Sequence, residues 1–305
     1  MSRTKKIWII VAVSCIALGL ILAGAAFANM NFNFSKLNNI ELQTKTYDID
    51  ENFSNINISA AECTVRFYAS DDGICRVECI EDTKVTHNVS VDNDTLTITR
   101  TDNRKWYEHF GFFWGEMGIT VYLPEKVYRQ LSVLSVSGDV FIPKDFTFDE
   151  AELFTTSGDI LFEGTAQKGL KAKTVSGDLR VCNINGRAVE VNSTSGDIMV
   201  SALRIEALNV ESTSGDVRIS EAVVNGKISI ETVSGDLQLD SCDAENLWLK
   251  SVSGDISGTL LSEKHFTTHT TSGDVHVSDS ASAAQTCEVT TTSGDVSIFI
   301  KDSTK

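Results

Sequence analysis

Apolar and polar positions alternate along residues 131–305 in a pattern that recurs about every 19 residues. Counted from the serine of a repeated Ser-Gly-Asp tripeptide, positions −6 and −4 are apolar with one exception, whereas −5 and −3 are mostly polar or charged. Position −2 is Ser or Thr in all nine copies and has the same parity as the apolar positions. A period of two is typical of a strand with one buried face. The pattern therefore predicts a half-buried strand ahead of each tripeptide.

The residues after the tripeptide predict a corner. Position +3 is Val, Ile or Leu in every copy, and +5 is apolar in every copy except Gly258. Five steps separate −2 from +3, so simple alternation cannot direct both side chains inward. Ser-Gly-Asp must therefore turn the chain, and its glycine is expected to supply the φ freedom that a sharp corner needs. Apolar residues at +8, such as Ile184 and Leu203, suggest a short third side.

A fixed period of this length indicates a solenoid, because no single coil could bury its apolar face alone. The sequence predicts an all-β chain that forms a parallel β-solenoid of about 19-residue coils, with consecutive coils paired in parallel and a β-rich N-terminal cap. The predicted corners are Ser137-Gly138-Asp139, Ser157-Gly158-Asp159, Ser176-Gly177-Asp178, Ser195-Gly196-Asp197, Ser214-Gly215-Asp216, Ser234-Gly235-Asp236, Ser253-Gly254-Asp255, Ser272-Gly273-Asp274 and Ser293-Gly294-Asp295.

The N-terminus predicts export. A basic flank, residues 1–6, precedes an apolar run, residues 7–28, that would rise about 33 Å as a helix and could cross a bilayer. We expect a transmembrane anchor, with a signal peptide cleaved after Ala28 as the alternative. In either case the basic flank stays in the cytoplasm and the remainder is exported. The protein is then single-pass with an extracellular ectodomain, or secreted if cleaved.

Residues 29–39 are expected to form a linker, residues 40–130 the β-rich cap, and residues 131–305 the solenoid. The cap contains an aromatic segment with two open interpretations: a binding loop for a carbohydrate, peptide or membrane interface, or a plug over the first coil. Its residues are Trp106, Tyr107, Phe110, Phe112, Phe113 and Trp114.

The formal net charge of −16 argues against nucleic acid and anionic lipid as partners. The nine aspartates should form one column. We expect each carboxylate to accept hydrogen bonds from its own turn and from the serine hydroxyl. Cation binding between coils is the alternative, although the Gly-Gly-x-Gly-x-Asp pattern of calcium-binding β-rolls is missing. No cofactor and no metal site is expected.

Catalytic and metal-binding motifs are missing from the sequence. There is no Cys-x-x-Cys among seven cysteines, and a disulfide among Cys63, Cys75 and Cys79 is left open. His265 and His269 would lie about 13 Å apart on a strand, too far to chelate one ion. Gly-x-Ser-x-Gly is lacking, and nine equal copies argue against a single active centre. The sequence therefore predicts a protein without enzymatic activity.

The repeat Thr/Ser-Val/Thr-Ser-Gly-Asp-Val/Ile/Leu-x-Val/Ile, preceded by the strand Ile119–Pro124, resembles a bacterial β-strand-repeat family of adhesin-like, envelope-associated proteins of unknown function. The resemblance covers about residues 50–300 and implies a β-solenoid outside the membrane. Our leading hypothesis is a non-enzymatic, membrane-anchored solenoid that binds an envelope protein or glycan. An envelope-stress accessory or sensor that acts through a membrane partner is the alternative, and a polysaccharide-active β-helix enzyme is less favoured.

Overall fold

The computed structural model describes residues 3–29, 42–105 and 117–301. One helix, α1 (Arg3–Asn29), begins the described chain. Its segment Lys5–Leu22 has a mean hydropathy of 2.1 and is not buried against the protein. A helix of 27 residues rises about 40 Å, which exceeds the thickness of a bilayer's hydrocarbon core. By length and composition α1 could therefore span a membrane, and a signal sequence would meet the same criteria.

The rest of the described chain contains 22 strands. The N-terminal strands are β1 (Gln43–Ile49), β2 (Asn55–Ala61), β3 (Thr64–Ala69), β4 (Cys75–Glu81), β5 (Val85–Asp92), β6 (Thr95–Asp102) and β7 (Gly118–Leu123). The middle strands are β8 (Val127–Ser135), β9 (Val140–Ile142), β10 (Thr147–Phe154), β11 (Ile160–Phe162), β12 (Thr165–Thr174), β13 (Leu179–Cys182) and β14 (Ala188–Ser195). The C-terminal strands are β15 (Ile198–Ser214), β16 (Val217–Ser234), β17 (Leu237–Ser253), β18 (Ile256–Leu260), β19 (His265–Ser272), β20 (Val275–Val277), β21 (Thr286–Ser293) and β22 (Val296–Ile300).

The predicted β-solenoid is confirmed, and each coil has three sides. Strand β15 follows almost one whole coil: a side after one corner, a short third side, and the side before the next corner. A single left-handed residue, Ala202 with φ of 54°, separates the first two sides. The inward side chains of this coil are all buried: Ile198, Val200, Leu203, Ile205, Leu208 and Val210. The inward parity at +3 and +8 that the sequence indicated is therefore present.

The last two coils do not stack in chain order. β21, from the coil of Ser293, pairs in parallel with β17 on one side and with β19 on the other. β22 likewise lies between β18 and β20. The coil of Ser293 is thus inserted between those of Ser253 and Ser272, and the coil of Ser272 ends the stack. The expectation that consecutive coils always pair is wrong here. Equivalent strands of different copies present the same backbone donors and acceptors, so a strand can pair with either copy.

A buried lysine fixes the crossover that this order requires. Lys264 is fully buried, and its Nζ donates hydrogen bonds to Asp243 Oδ1 and Ser262 Oγ, each at 2.5 Å. It also donates to Gln285 Oε1, at the start of the inserted coil. A buried ammonium needs such partners, because unpaired burial of a charge is very unfavourable. Lys264 therefore links the coil of Ser253 to the inserted coil of Ser293.

The stack also extends beyond the first tripeptide into the cap. β2 pairs in parallel with β8, and β3 pairs with β9, so residues 55–69 form a coil that lacks Ser-Gly-Asp. β6 and β7 continue both sides by pairing with β2 and β3. Antiparallel strands then cover the exposed edges: β5 pairs with β6, and β4 pairs with β7 and β1. Such covering protects strand edges from pairing with other chains.

Candidate functional site

The corner glycines are required by the close approach of successive backbones. A Cβ atom built on Gly158 would lie 2.2 Å from the carbonyl oxygen of Gly138, and one on Gly177 would lie 1.9 Å from that of Gly158. Among the corner glycines, a left-handed φ occurs only from Gly215 onward, and Gly215 has a φ of 134°. The expectation that φ freedom explains the glycine is therefore wrong for the first four tripeptides, where stacking alone excludes a side chain.

The nine aspartates form a hydrogen-bonded ladder. Through the described residues 139–295, the backbone amide of each aspartate after Asp139 donates to Oδ1 of its spatial neighbour, giving eight bonds of 2.8–2.9 Å. Where the coil order changes, Asp295 donates to Asp255, and Asp274 donates to Asp295. We expected the partner within the same turn, and it lies instead in the adjacent coil. These bonds support a structural role for the column.

The hydroxyls at position −2 fall into two groups. In the first three copies the hydroxyl accepts the glycine amide of its own corner, as in Gly138 to Ser135 at 3.0 Å and Gly158 to Thr155 at 3.0 Å. From Ser195 onward, glycine amides donate instead to serine carbonyls of the adjacent coil, as in Gly215 to Ser234 at 3.1 Å. Among the described residues, five later hydroxyls are buried without a partner: Ser193, Thr232, Ser251, Thr270 and Thr291.

A groove of about 680 Å³ lies on the outward side of the strands that precede the corners. It arises at position −7, where three neighbouring copies carry Gly169, Ala188 and Ala207. Longer residues in the same column, Glu150 and Lys227, close its two ends. The volume is within the range of ligand pockets. The outward face is therefore indented over the middle coils.

Charged side chains of both signs line this groove. Lys171 Nζ lies 3.6 Å from Glu190 Oε2, and Lys173 Nζ, beside the groove, lies 2.8 Å from Glu190 Oε1. The hydrogen bond from Lys173 lowers the pKa of Glu190, so this carboxylate stays ionised. Lys168 pairs with Asp149 at 2.8 Å. Small residues at the floor and ionised groups at the rim are suited to an extended polar ligand.

A second cluster lies buried at the cap and was missed by sequence reasoning. His87 Nε2 lies 3.5 Å from Cys63 Sγ, and His87 Nδ1 lies 3.3 Å from Glu81 Oε1. Glu81 Oε1 also accepts the backbone amide of His87 at 2.6 Å. Cys79 belongs to the same cluster, because ligand atoms of Cys79, Glu81 and His87 all lie within 4.8 Å of one another. The four residues come from β4, β5 and the corner between β2 and β3, so no short motif contains them.

The order thiol, imidazole, carboxylate matches that of cysteine hydrolases, but this thiol is not activated. Burial raises the pKa of Cys63 to about 11, and burial also lowers the pKa of His87. Both changes favour the neutral pair over a thiolate–imidazolium pair. All four side chains are buried, and they line none of the described cavities. The arrangement therefore lacks a reactive nucleophile.

The remaining candidates are placed as follows. All seven cysteines, which lie within the described residues, are free thiols. Cys75 and Cys79 are four residues apart on one strand, about 13 Å, which excludes a bridge between them. His265 and His269 are exposed on β19. The aromatic segment from Trp106 to Trp114 lies outside the described residues, between the end of β6 and the start of β7.

The Toastrack DUF4097 family model matches residues 53–245 and 240–305. The chain belongs to this family. The matched residues include the coil of residues 55–69 and all nine tripeptides, so the match spans the described stack. No protein of curated function matches the chain.

Solved structures similar to this Toastrack chain have low sequence identity. A candidate adhesin from Bacteroides fragilis is 16% identical, with 86% of this chain and 97% of that one covered and a TM-score of 0.43. A candidate lipid-binding protein from Parabacteroides distasonis is 13% identical, with 87% and 98% covered and a TM-score of 0.49. A candidate adhesin from the same organism is 14% identical, with 86% and 98% covered and a TM-score of 0.47.

Proposed function

We propose that this Toastrack protein is a non-enzymatic, membrane-anchored solenoid that lies outside the cytoplasm and binds an envelope protein or glycan. The groove over Gly169, Ala188 and Ala207 is the observation that carries the proposal. Rigid parallel strands hold its floor, and ionised side chains surround it, so it is preorganised for a ligand. The neutral, buried thiol of Cys63 supports the non-enzymatic part.

The binding role is tested by filling the groove. Ala188→Gln and Ala207→Gln place a longer side chain at −7, where the same column already carries Gln130. We therefore expect the double variant to fold normally. Ser220→Gln, half-exposed on the side that follows a corner, is the matched control.

Full-length protein in detergent is immobilised and incubated separately with isolated cell-wall glycan and with solubilised membrane proteins. We expect retention of one fraction by the wild type and the control, and about tenfold weaker retention by the double variant, equal to about 1.4 kcal/mol. Absence of retention by the wild type, or equal retention by all three proteins, would contradict the proposal.

The anchor is tested separately. Helix α1 supports it, because its apolar length exceeds what a bilayer requires. We expect the protein to remain in the membrane pellet after alkaline extraction, with its N-terminal residues still attached. Recovery in the soluble fraction with a new N-terminus after Ala28 would show a cleaved signal peptide instead.

A further inference from the structure

The buried cluster at the cap brings together two thiols, an imidazole and a carboxylate from separate elements. Cys79 and Glu81 lie two residues apart on β4 and point to the same buried side. His87 is the third residue of β5, and Cys63 occupies the corner position that glycine has in the repeats. Their exposed fractions are at most 5%. Four potential ligands thus converge where the antiparallel cap meets the first coil.

One separation in this cluster matches a tetrahedral metal site. Zinc–sulfur and zinc–nitrogen bonds of about 2.3 and 2.0 Å at a tetrahedral angle place S and N about 3.5 Å apart. Cys63 Sγ and His87 Nε2 are separated by 3.5 Å. Ligand atoms of Cys79, Glu81 and His87 lie within 4.8 Å of one another, and Cys63 joins this group through its contact with His87. Side-chain adjustments would have to bring the two thiols to one ion.

The second contact of His87 is also typical of metal sites. Glu81 Oε1 faces Nδ1 at 3.3 Å, which orients the ring and leaves Nε2 directed at Cys63. Metal-binding histidines commonly present one nitrogen to the ion and donate from the other to a carboxylate. Tyr47 Oη lies 3.4 Å from the same carboxylate oxygen and donates to the His87 carbonyl at 2.9 Å. The imidazole is therefore already held in a ligating orientation.

The donor set favours a divalent cation here. Two thiolates and Glu81 would contribute three negative charges, most of which a divalent ion would neutralise. Arg100 lies nearby but already pairs with Glu62 at 2.9 Å and with Asp102 at 3.2 Å. Sulfur and imidazole donors favour Zn²⁺ over Ca²⁺ and Mg²⁺, which prefer oxygen.

We propose that Cys63, Cys79 and His87, together with Glu81, form a binding site for a thiophilic divalent cation, with Zn²⁺ as the best chemical match. Such an ion would join β4 and β5 to the corner after β2. It would stabilise the N-terminal end of the stack, because metal binding contributes directly to the free energy of folding.

The first test uses the full-length wild-type protein, reduced and metal-free in detergent. Co²⁺ is added as a spectroscopic probe, and Zn²⁺ is then added as a competitor. We expect one equivalent of Co²⁺, a thiolate-to-metal charge-transfer band, and displacement by Zn²⁺ with a higher melting temperature. A missing band, or no bound Zn²⁺ after dialysis, would overturn the proposal.

Variants locate the site. Cys79→Ala and His87→Gln should abolish the charge-transfer band or reduce its intensity sharply. Glu81→Gln should weaken Zn²⁺ binding about 10- to 100-fold, as expected for a group that orients a ligand. Cys75→Ala is the matched control, because Cys75 is a buried thiol on the same strand four residues away and outside the cluster. A control that lost the band as Cys79→Ala does would refute the assignment.

One measurement avoids the risk that a buried substitution prevents folding. In the wild type, the rate of N-ethylmaleimide labelling is followed for each cysteine by peptide mass mapping, with and without Zn²⁺. We expect selective protection of Cys63 and Cys79 relative to Cys242 and Cys287, which are buried far along the stack. Equal changes at all four thiols would contradict a local site.

Discussion

The first three and the last six Ser-Gly-Asp corners have the same tripeptide but different backbone hydrogen bonds. At Ser137, Ser157 and Ser176, the glycine amide donates to the −2 hydroxyl of its own coil. In five of the last six, all within the described chain, it donates to a serine carbonyl of the adjacent coil. The Asp ladder is the same in both regions. Glycine and aspartate therefore serve the stack everywhere, whereas the −2 hydroxyl accepts the glycine amide only in the first arrangement.

The largest expected effect is a loss of stability on substitution of the corner glycines, which both regions share. Gly177→Ala and Gly215→Ala would each place a methyl group within 2.4 Å of a neighbouring glycine carbonyl. We expect each to destabilise the protein by about 3 kcal/mol or more, measured by urea unfolding. The control is Gly169→Ala, whose Cβ would meet nothing closer than 3.9 Å and which should change stability by less than about 0.5 kcal/mol. A mild effect at either corner would show that stacking tolerates a side chain.

The aspartate ladder should respond equally in both regions. Asp159→Ala and Asp197→Ala each remove the acceptor of one amide in the adjacent coil. Because these carboxylates are exposed, we expect a loss of about 1 kcal/mol in each case. Asp→Asn at the same positions keeps an acceptor and removes like-charge repulsion, so stability should be nearly unchanged. Unequal losses from the two alanine variants in urea unfolding would show that the ladder differs between regions.

A smaller effect concerns the opposite bend, where the two regions overlap. From the third to the sixth copy the residue at +7 is left-handed, at Asn183, Ala202, Glu221 and Ser241 with φ of 52–62°. Left-handed φ is unfavourable for a residue with a Cβ. Glu221→Gly should therefore raise the unfolding free energy by about 0.5 kcal/mol, after the entropy of the unfolded glycine is subtracted. Destabilisation in the same urea assay would contradict the assigned strain.

Parity of the apolar positions was sufficient to predict the coil. Residues −2 and +3 face inward, which required a corner, and the apolar residues at +8 form the third side. The order of the last two coils was not predictable from pairing preference, because Leu247 could pair equally well with Cys287 or Phe266. One sequence signal was available: Thr268 is the single polar residue at −4, and it lies in the terminal coil, where a polar residue is tolerated.

The two arrangements of the corner and the buried cluster were beyond sequence reasoning for different reasons. The tripeptide and its flanking Ser, Thr and Val are the same in both regions, so nothing local distinguishes them. The cluster of Cys63, Cys79, Glu81 and His87 unites residues up to 24 positions apart. Only the pairing of β4 with β7 and of β5 with β6 brings them together.

The most direct test of the two arrangements compares Thr155→Val with Thr232→Val in urea unfolding. In the first region the change removes the acceptor of the buried Gly158 amide, and we expect a loss of about 1–3 kcal/mol. In the second it removes a buried hydroxyl without a partner, and we expect stability to be unchanged or to rise by up to about 1 kcal/mol. Equal losses at the two positions would contradict the account.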